Sequence, residues 1–253
     1  MEMTVVTSQK RAGIGTLSRH ESNMVLSSPL ISGLPDGLQD ELMQKGELKS
    51  YKRGGFLFMD EDPIDYVYYL MSGKAREYYI TVDGSDCMRC LHAPGSYVSL
   101  HLVLSPEQLY SYSCEVLTGA TFFVWRRSDL QGILEQEPNL GCKMLKVLST
   151  YVEDSCRKIC LCRKNQAVSR VAGYLLSLDN RNRVHFPCCL KRAANTKFAN
   201  IKPLNFSAND VCLARETFSR ALSLLQERNL IFIDQGDVNI LDVEGLKKVS
   251  GGL

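Results

Sequence analysis

In the stretch RETFSRALSLLQERNLI, apolar residues recur at Phe218, Ala221, Leu222 and Leu225, one stripe of a 3.6-residue period. Glu216, Ser219, Arg220 and Ser223 take the other side, and Arg215 leads it. The pattern predicts a helix with one buried face and one hydrogen-bonding face, ended at Asn229. LIFIDQGDVNILDV then alternates apolar and polar positions about Gln235-Gly236-Asp237, which predicts two short strands and a turn. Upstream, FSANDVCLA can supply a short helix and a turn. Helix, turn, helix and hairpin make a winged helix-turn-helix, whose second helix enters the DNA major groove. A surface helix with a merely solvated face carries a similar charge pattern; the hairpin that follows favours the DNA reading. The chemistry fits it. Arginine donates two parallel bonds to guanine, glutamate accepts from cytosine, and hydroxyls hold phosphates.

The rest of the chain has other periods. Residues 28–50 hold short helical pieces, and about the first 25 residues are expected to be partly disordered. From 51 to 128, short aromatic-rich segments follow one another, punctuated at Gly54-Gly55, Ser72-Gly73, Asp83-Gly84, Pro94-Gly95 and Thr118-Gly119. They predict a small antiparallel barrel or sandwich. From Asn139 to about Asn165 a long helix is expected, with Leu140, Met144, Val147, Tyr151, Ile159 and Cys162 tracing an approximate seam that Asp154 and Ser155 interrupt. Such a helix either packs on its own barrel or forms a dimer coiled coil. VSRVAGYLLSL predicts a further helix, and a polar loop with an imperfect hairpin follows it.

These elements give an α+β chain. A partly disordered segment (1–27) precedes an N-terminal antiparallel β-barrel domain (28–138). A dimerisation helix (139–165) and a winged helix-turn-helix domain (166–253) complete it.

Composition changes this picture little. Hydrophobic residues are 45% and charged residues 23%, ordinary for a globular chain. No apolar run approaches the roughly 20 residues that span a bilayer, and the N-terminus lacks an apolar signal core, so a cytoplasmic protein is expected. The net charge of +2 is uneven. From 166 to 253, Lys and Arg outnumber Asp and Glu by 12 to 8, against 18 and 20 in the remainder. The C-terminal third is therefore the part suited to phosphates.

Ten cysteines are many for such a protein, but a disulfide framework is not expected without secretion. Cys87 and Cys90 form a C-x-x-C on a predicted strand, where residues three apart face opposite ways. Cys156 and Cys160 lie one turn apart on a helix, with Cys162 and four cations nearby, an environment that lowers thiol pKa values. A redox or metal switch there is one reading, and Cys188-Cys189 is a second candidate. His92 and His101 could ligate haem or metal or satisfy local hydrogen bonds. No metal site is firmly predicted. No G-x-S-x-G, H-E-x-x-H or phosphate-loop pattern occurs, so an enzyme is not expected. The alternative from another class is a thiol oxidoreductase using Cys87 and Cys90, which needs a helix where the pattern shows a strand.

From about Leu48 to Leu246 the chain resembles the Crp/Fnr family of bacterial transcription regulators. YKRGGFLFMDEDPIDYVYYLMSGKAREYYITVDGSDCMRCLHAPGSYV is similar to that family's glycine-punctuated barrel, and RETFSRALSLLQERNLI…VNILDVEGL to its recognition helix and wing. The resemblance implies a cyclic-nucleotide-binding-like jelly roll, and a homodimer that binds an inverted repeat in double-stranded DNA and works with RNA polymerase. By position, Arg215, Glu216, Ser219 and Arg220 match base-reading residues and Thr217 a backbone-contacting one. Tyr97, Leu100, His101, Tyr112 and Cys114 fall in the ligand-contacting segment, with Tyr151 on the facing helix. The chain departs from the cyclic-nucleotide binders. Ser99-Leu100 stands where they have Gly-Glu, and LYSYSCEV lacks their arginine. A buried phosphate without a cation is costly, so the effector is expected to be something other than cAMP or cGMP. These residues carry no fixed charge and suit a neutral or aromatic molecule, or else simply fill the barrel of a constitutive DNA binder. The family's iron–sulfur members use an N-terminal cysteine cluster, and here no cysteine precedes Cys87. A regulator gated by cysteine oxidation or a metal cluster remains the alternative. No cofactor is firmly implied.

Overall fold

The structure, a computed structural model, describes residues 17–180, 198–200, 211, 213–234 and 237–251. The chain divides into two compact units, Met1–Lys143 and Met144–Leu253.

The first unit opens with α1 (Arg19–Leu26), inside the segment expected to be partly disordered. Its start is a capping box. Ser18 Oγ accepts from Glu21 N, and Glu21 Oε2 accepts from Ser18 N. α2 (Asp36–Gln44) follows. Then come β1 (Gly46–Tyr51), β2 (Phe56–Phe58), β3 (Tyr66–Ile80), β4 (Asp86–His92), β5 (Tyr97–Val98) and, after a 3-10 turn at Leu100–Leu102, β6 (Ser113–Arg126). α3 (Arg127–Gln136) leads into α4 (Pro138–Cys162).

The sheet is antiparallel with the order β1-β6-β3-β4, and β2 and β5 add to β6 and β3. It is not the closed barrel expected. Its backbone is the long pair β3–β6, and each of these strands changes outer neighbour along its length. β3 pairs with β5 at Tyr68 and Tyr69 and with β4 from Ala75 to Ile80. β6 pairs with β2 near Cys114 and with β1 from Ala120 to Trp125. β1 and β4 remain as edges.

Two of the expected turns are bends inside these strands. β3 runs through Gly73 and β6 through Gly119, and the β3–β6 register shifts between Leu70 and Ala75. Gly73 has φ +89°, and a Cβ there would lie 2.5 Å from Gly119 O and 2.6 Å from Ala120 Cβ. Glycine is needed twice over, for conformation and for space.

Alternation along the strands fills both faces of the sheet. Tyr68, Leu70, Cys114, Phe122 and Val124 belong to one buried cluster. Tyr69, Tyr97, Phe123 and Trp125 make the other, with ring centroids 4.9 Å apart for Tyr69–Tyr97 and for Phe123–Trp125. Trp125 Nε1 donates to Leu42 O at 2.8 Å, and Leu30 N donates to Tyr97 Oη at 3.3 Å, so the N-terminal helices cover this second face.

In the second unit, α5 (Ala167–Asn180) packs against α6 (Arg215–Glu227) and α7 (Val243–Ser250). β7 (Phe198–Asn200), β8 (Ile231–Asp234) and β9 (Asp237–Ile240) form a small antiparallel sheet in the order β7-β9-β8. Tyr174, Leu175, Phe218, Leu222, Leu225, Val238 and Leu246 share its core. On α4 the expected seam divides between buried and exposed positions. Leu140, Met144 and Val147 are buried, whereas Leu145, Val152 and Ile159, seven residues apart, are 66%, 63% and 59% exposed. The helix expected in FSANDVCLA lies almost wholly outside the described residues. Among the described residues no helix is long and apolar enough to cross a membrane.

Gly73→Ala should destabilise the first unit by about 2 kcal/mol or more, since a left-handed conformation alone costs an L-residue about 1–2 kcal/mol and the close backbone adds to it. Trp125, the single tryptophan, reports that unit. Urea unfolding followed by its fluorescence checks this, and an unchanged midpoint would remove Gly73's special role.

Candidate nucleic-acid interface and sensor site

α6 is oriented by its buried stripe. Phe218 is 0% exposed, and Ala221, Leu222 and Leu225 are buried with it. A helix anchored along one face presents the opposite one. Arg215, Glu216, Ser219 and Arg220 are exposed there, Ser223 is exposed beside them, and Thr217 is half-buried. Ala214, the residue before the helix, has no polar side chain to cap it. Among the described residues no side chain caps its first-turn N–H groups, and a phosphate is a suitable acceptor for them. Asn229 ends α6 as expected, at φ +55°. Asn229 N donates to Gln226 O and Leu230 N to Leu225 O, a Schellman ending that delivers the chain directly into β8.

The sensor candidates do not all meet. Tyr97 lies on the helix-covered face of the sheet, away from Tyr112 and Cys114, because it alternates with Val98, which belongs to the Cys114 cluster. Leu100 is buried, and Tyr151 lies on α4 in the second unit. His101, Tyr112 and Cys114 come together around a feature that the linear pattern concealed, a group of charged side chains.

That group is made by a β-bulge. In the β3–β4 ladder Glu77 opposes Cys90 while Tyr78 opposes Met88, so Arg89 is the extra residue. A bulge turns consecutive side chains toward one side. Arg89 thereby joins Glu77, His92, His101 and Tyr112. Glu77 also opposes Cys114 on β6. Glu77 is 1% exposed and His92 4%. Arg89 Nη1 donates to Glu77 Oε2, His92 Nε2 lies 3.1 Å from Glu77 Oε1, and the Arg89 guanidinium sits 4.3 Å over the Tyr112 ring. Arg89 Nη2 and Tyr112 Oη stand 3.3 and 3.4 Å from His101 Nε2. The expectation of a site without fixed charge is therefore corrected.

Burial raises the Glu77 carboxyl, but His92 and Arg89 outweigh it and hold the group down at about 2. Burial likewise opposes charge on His92, yet Cys90 and Glu77 raise it to about 10. His101 is lowered, first by burial and then by Arg89. A neutral His101 can offer Nε2 as an acceptor to both neighbours. Burial pushes the Cys114 thiol up.

The same bulge corrects the reading of the C-x-x-C. Cys87 opposes Tyr79 and Cys90 opposes Glu77, two β3 residues on one face, so the two sulfurs lie on the same face. No disulfide joins them. Cys156 and Cys160 are exposed, and the cations between them have carboxylate partners, Arg157 with Glu153 and Lys158 with Asp154, each at 3.6 Å. Among the described residues no three His, Cys, Asp or Glu side chains could hold a metal together. Cys188 and Cys189 lie outside the described residues.

The two units match two known domains. Residues 48–137 match the family model described as "Cyclic nucleotide-binding domain", and 169–249 the "Crp-like helix-turn-helix domain". The transcriptional activator protein Anr of Pseudomonas protegens is 28% identical over 232 residues, 90% of this chain and 89% of Anr. Anr of Pseudomonas aeruginosa is 27% identical over 213 residues, 84% and 83% of the two chains. In fold, the structure of FixK2 from Bradyrhizobium japonicum is similar with a TM-score of 0.65 at 20% identity, covering 82% of this chain and 98% of FixK2. A sheet of the cyclic-nucleotide-binding type followed by a Crp-like helix-turn-helix unit defines a DNA-binding transcription regulator. The chain belongs to the Crp/Fnr family of transcription regulators, which is not a family of enzymes.

The buried charges predict a pH dependence. Glu77, held low, contributes stability that is complete above its ordinary value of 4.5 and lost as pH falls toward about 2. His92, held high, contributes stability that is complete below 6.5 and lost as pH rises toward about 10. Between pH 6.5 and 10 the Trp125-reported urea midpoint of the native chain should fall, and that of His92→Gln should fall less. Parallel curves would show that His92 is not the charged partner of Glu77.

Proposed function

We propose that the protein is a homodimeric, sequence-specific regulator that binds an inverted-repeat operator through α6, in response to a small molecule other than cAMP. The observation that carries this reading is the exposed face of α6. Arg215, Glu216, Ser219 and Arg220 stand on it because Phe218, Ala221, Leu222 and Leu225 are fixed beneath. Arg220 reads guanine and Glu216 cytosine, while Thr217 and the uncapped first turn hold the backbone.

The dimer is supported by α4. Leu145, Val152 and Ile159 are exposed at heptad spacing, the pattern of a parallel two-helix seam. The effector reading is supported by the missing Gly-Glu and arginine of the cyclic-nucleotide binders at Ser99-Leu100 and in the segment 109–116. The protein works on the chromosome in the cytoplasm, and RNA polymerase is its partner there. Ligand binding shifts the population between two arrangements of the DNA-binding units.

Arg220→Ala should lose about 1–3 kcal/mol of operator affinity and relax sequence preference at one position of each half-site, while weak non-specific binding persists. Gel-shift titration on operator and random duplexes measures both. A variant that selects the same site at the same affinity would refute the role given to Arg220.

A further inference from the structure

The side chains around the bulge at Arg89 do more than fill the sheet. Glu77 uses one oxygen on Arg89 Nη1 and the other on His92 Nε2. Arg89 Nη2 is therefore left without a carboxylate and faces His101 Nε2 at 3.3 Å. Tyr112 Oη approaches the same nitrogen at 3.4 Å. Two groups able to donate, one of them cationic, thus converge on one ring nitrogen, which accepts from them when the His101 proton sits on Nδ1. Glu77 and Tyr112 are buried beneath, whereas His101 is exposed and the Arg89 side chain is 31% exposed.

We propose that Arg89 Nη2 and Tyr112 Oη form the recognition point for an oxyanion, a carboxylate or phosphate of the effector, which takes the place of His101 Nε2. An oxyanion accepts from both donors at once, with the strength of charge-assisted bonds. The rigid base of the site is already present. Glu77 holds the guanidinium from behind, and the Tyr112 ring lies flat against it. Such pre-organisation lowers the cost of binding. The groups facing the site are Glu77 and Tyr79 from β3, Arg89, Cys90 and His92 from β4, His101 from the 3-10 turn, and Tyr112 and Cys114 at the start of β6. Glu77 is the only carboxylate among them, and both its oxygens are turned to cations. Displacing His101 moves the turn at Leu100–Leu102, the part of the first unit that would register the event.

The inference rests on the effector-controlled reading above, and it gives that effector its chemical class. The missing cation of the segment 109–116 is supplied from β4, so an anion is accommodated.

The test is a titration of the full chain with sodium acetate, inorganic phosphate and cAMP in turn, at constant ionic strength. Trp125 fluorescence melting and the His101 imidazole NMR signals serve as readouts. The expected result is saturable binding of acetate or phosphate, with His101 signals shifting as Nε2 loses its two donors. Response to acetate alone would identify a carboxylate effector, and response to phosphate alone a phosphorylated one. Arg89→Gln should weaken binding at least tenfold and Tyr112→Phe several-fold. If Arg89→Gln fails to fold because Glu77 is stranded, His101→Ala decides instead. It removes the competitor without touching Glu77, and binding should tighten or hold. No saturable response to acetate or phosphate, or loss of binding in His101→Ala, would overturn the oxyanion site and leave the operator reading standing. Arg89-dependent binding of cAMP would confirm the site and overturn the exclusion of cyclic nucleotides.

Discussion

Phe218 is completely enclosed, with the Tyr174 ring of α5 edge-on to it at 6.3 Å and 73°. Ala221, Leu222 and Leu225 continue the contact down one side of α6. Burying side chains of this size stabilises the unit by about 1.5–3 kcal/mol each, so the helix cannot turn about its axis without losing most of its anchorage. Its rotation decides which residues meet solvent. A twist of one residue, about 100°, would bring the buried stripe to the surface and turn the arginines inward. The Schellman ending at Asn229 fixes the other end and sends Leu230 into the core before β8 begins. The exposed polar face of α6 is thus a consequence of apolar packing.

In the first unit the corresponding constraint is electrostatic. A carboxylate as deeply buried as Glu77 is tolerable only with cations and hydrogen bonds around it, since desolvation of a lone charge costs several kcal/mol. Arg89 and His92 provide them, and Arg89 can do so only because the bulge turns it inward. That geometry leaves one amino group of Arg89 directed at His101 and Tyr112. The bend at Gly73 acts on a larger scale. It allows β3 to serve β5 with one half and β4 with the other, which brings β4 and its charges against the start of β6.

Much of this was legible in the sequence where one local period governs. The stripe of α6, its end at Asn229 and the hairpin after it follow from residue spacing. The first unit was less legible, because its features depend on pairing between strands. Alternation along DCMRCLH sends Arg89 away from Cys90, and only the register with Glu77 and Tyr78 reveals the bulge. Ser72-Gly73 and Thr118-Gly119 look like turns until the two glycines are placed against each other. Tyr97 is adjacent to the segment of Leu100 and His101, but its parity puts it on the helix-covered face. On α4 Met144 and Leu145 are equally apolar and only burial separates them, so the expected seam mixed buried Leu140, Met144 and Val147 with exposed Ile159. The capping box Ser18–Glu21 was present in the sequence as a signal and marks the start of α1.

The central claim is that α6 reads DNA in two symmetric copies. Selection of random duplex DNA by the purified full chain, followed by sequencing of the bound fraction, tests it most directly. The account predicts an enriched inverted repeat whose half-sites are about 10–10.5 base pairs apart, centre to centre, or a multiple of that spacing. A bound fraction with no enriched sequence, or a single half-site without its symmetric mate, would contradict it.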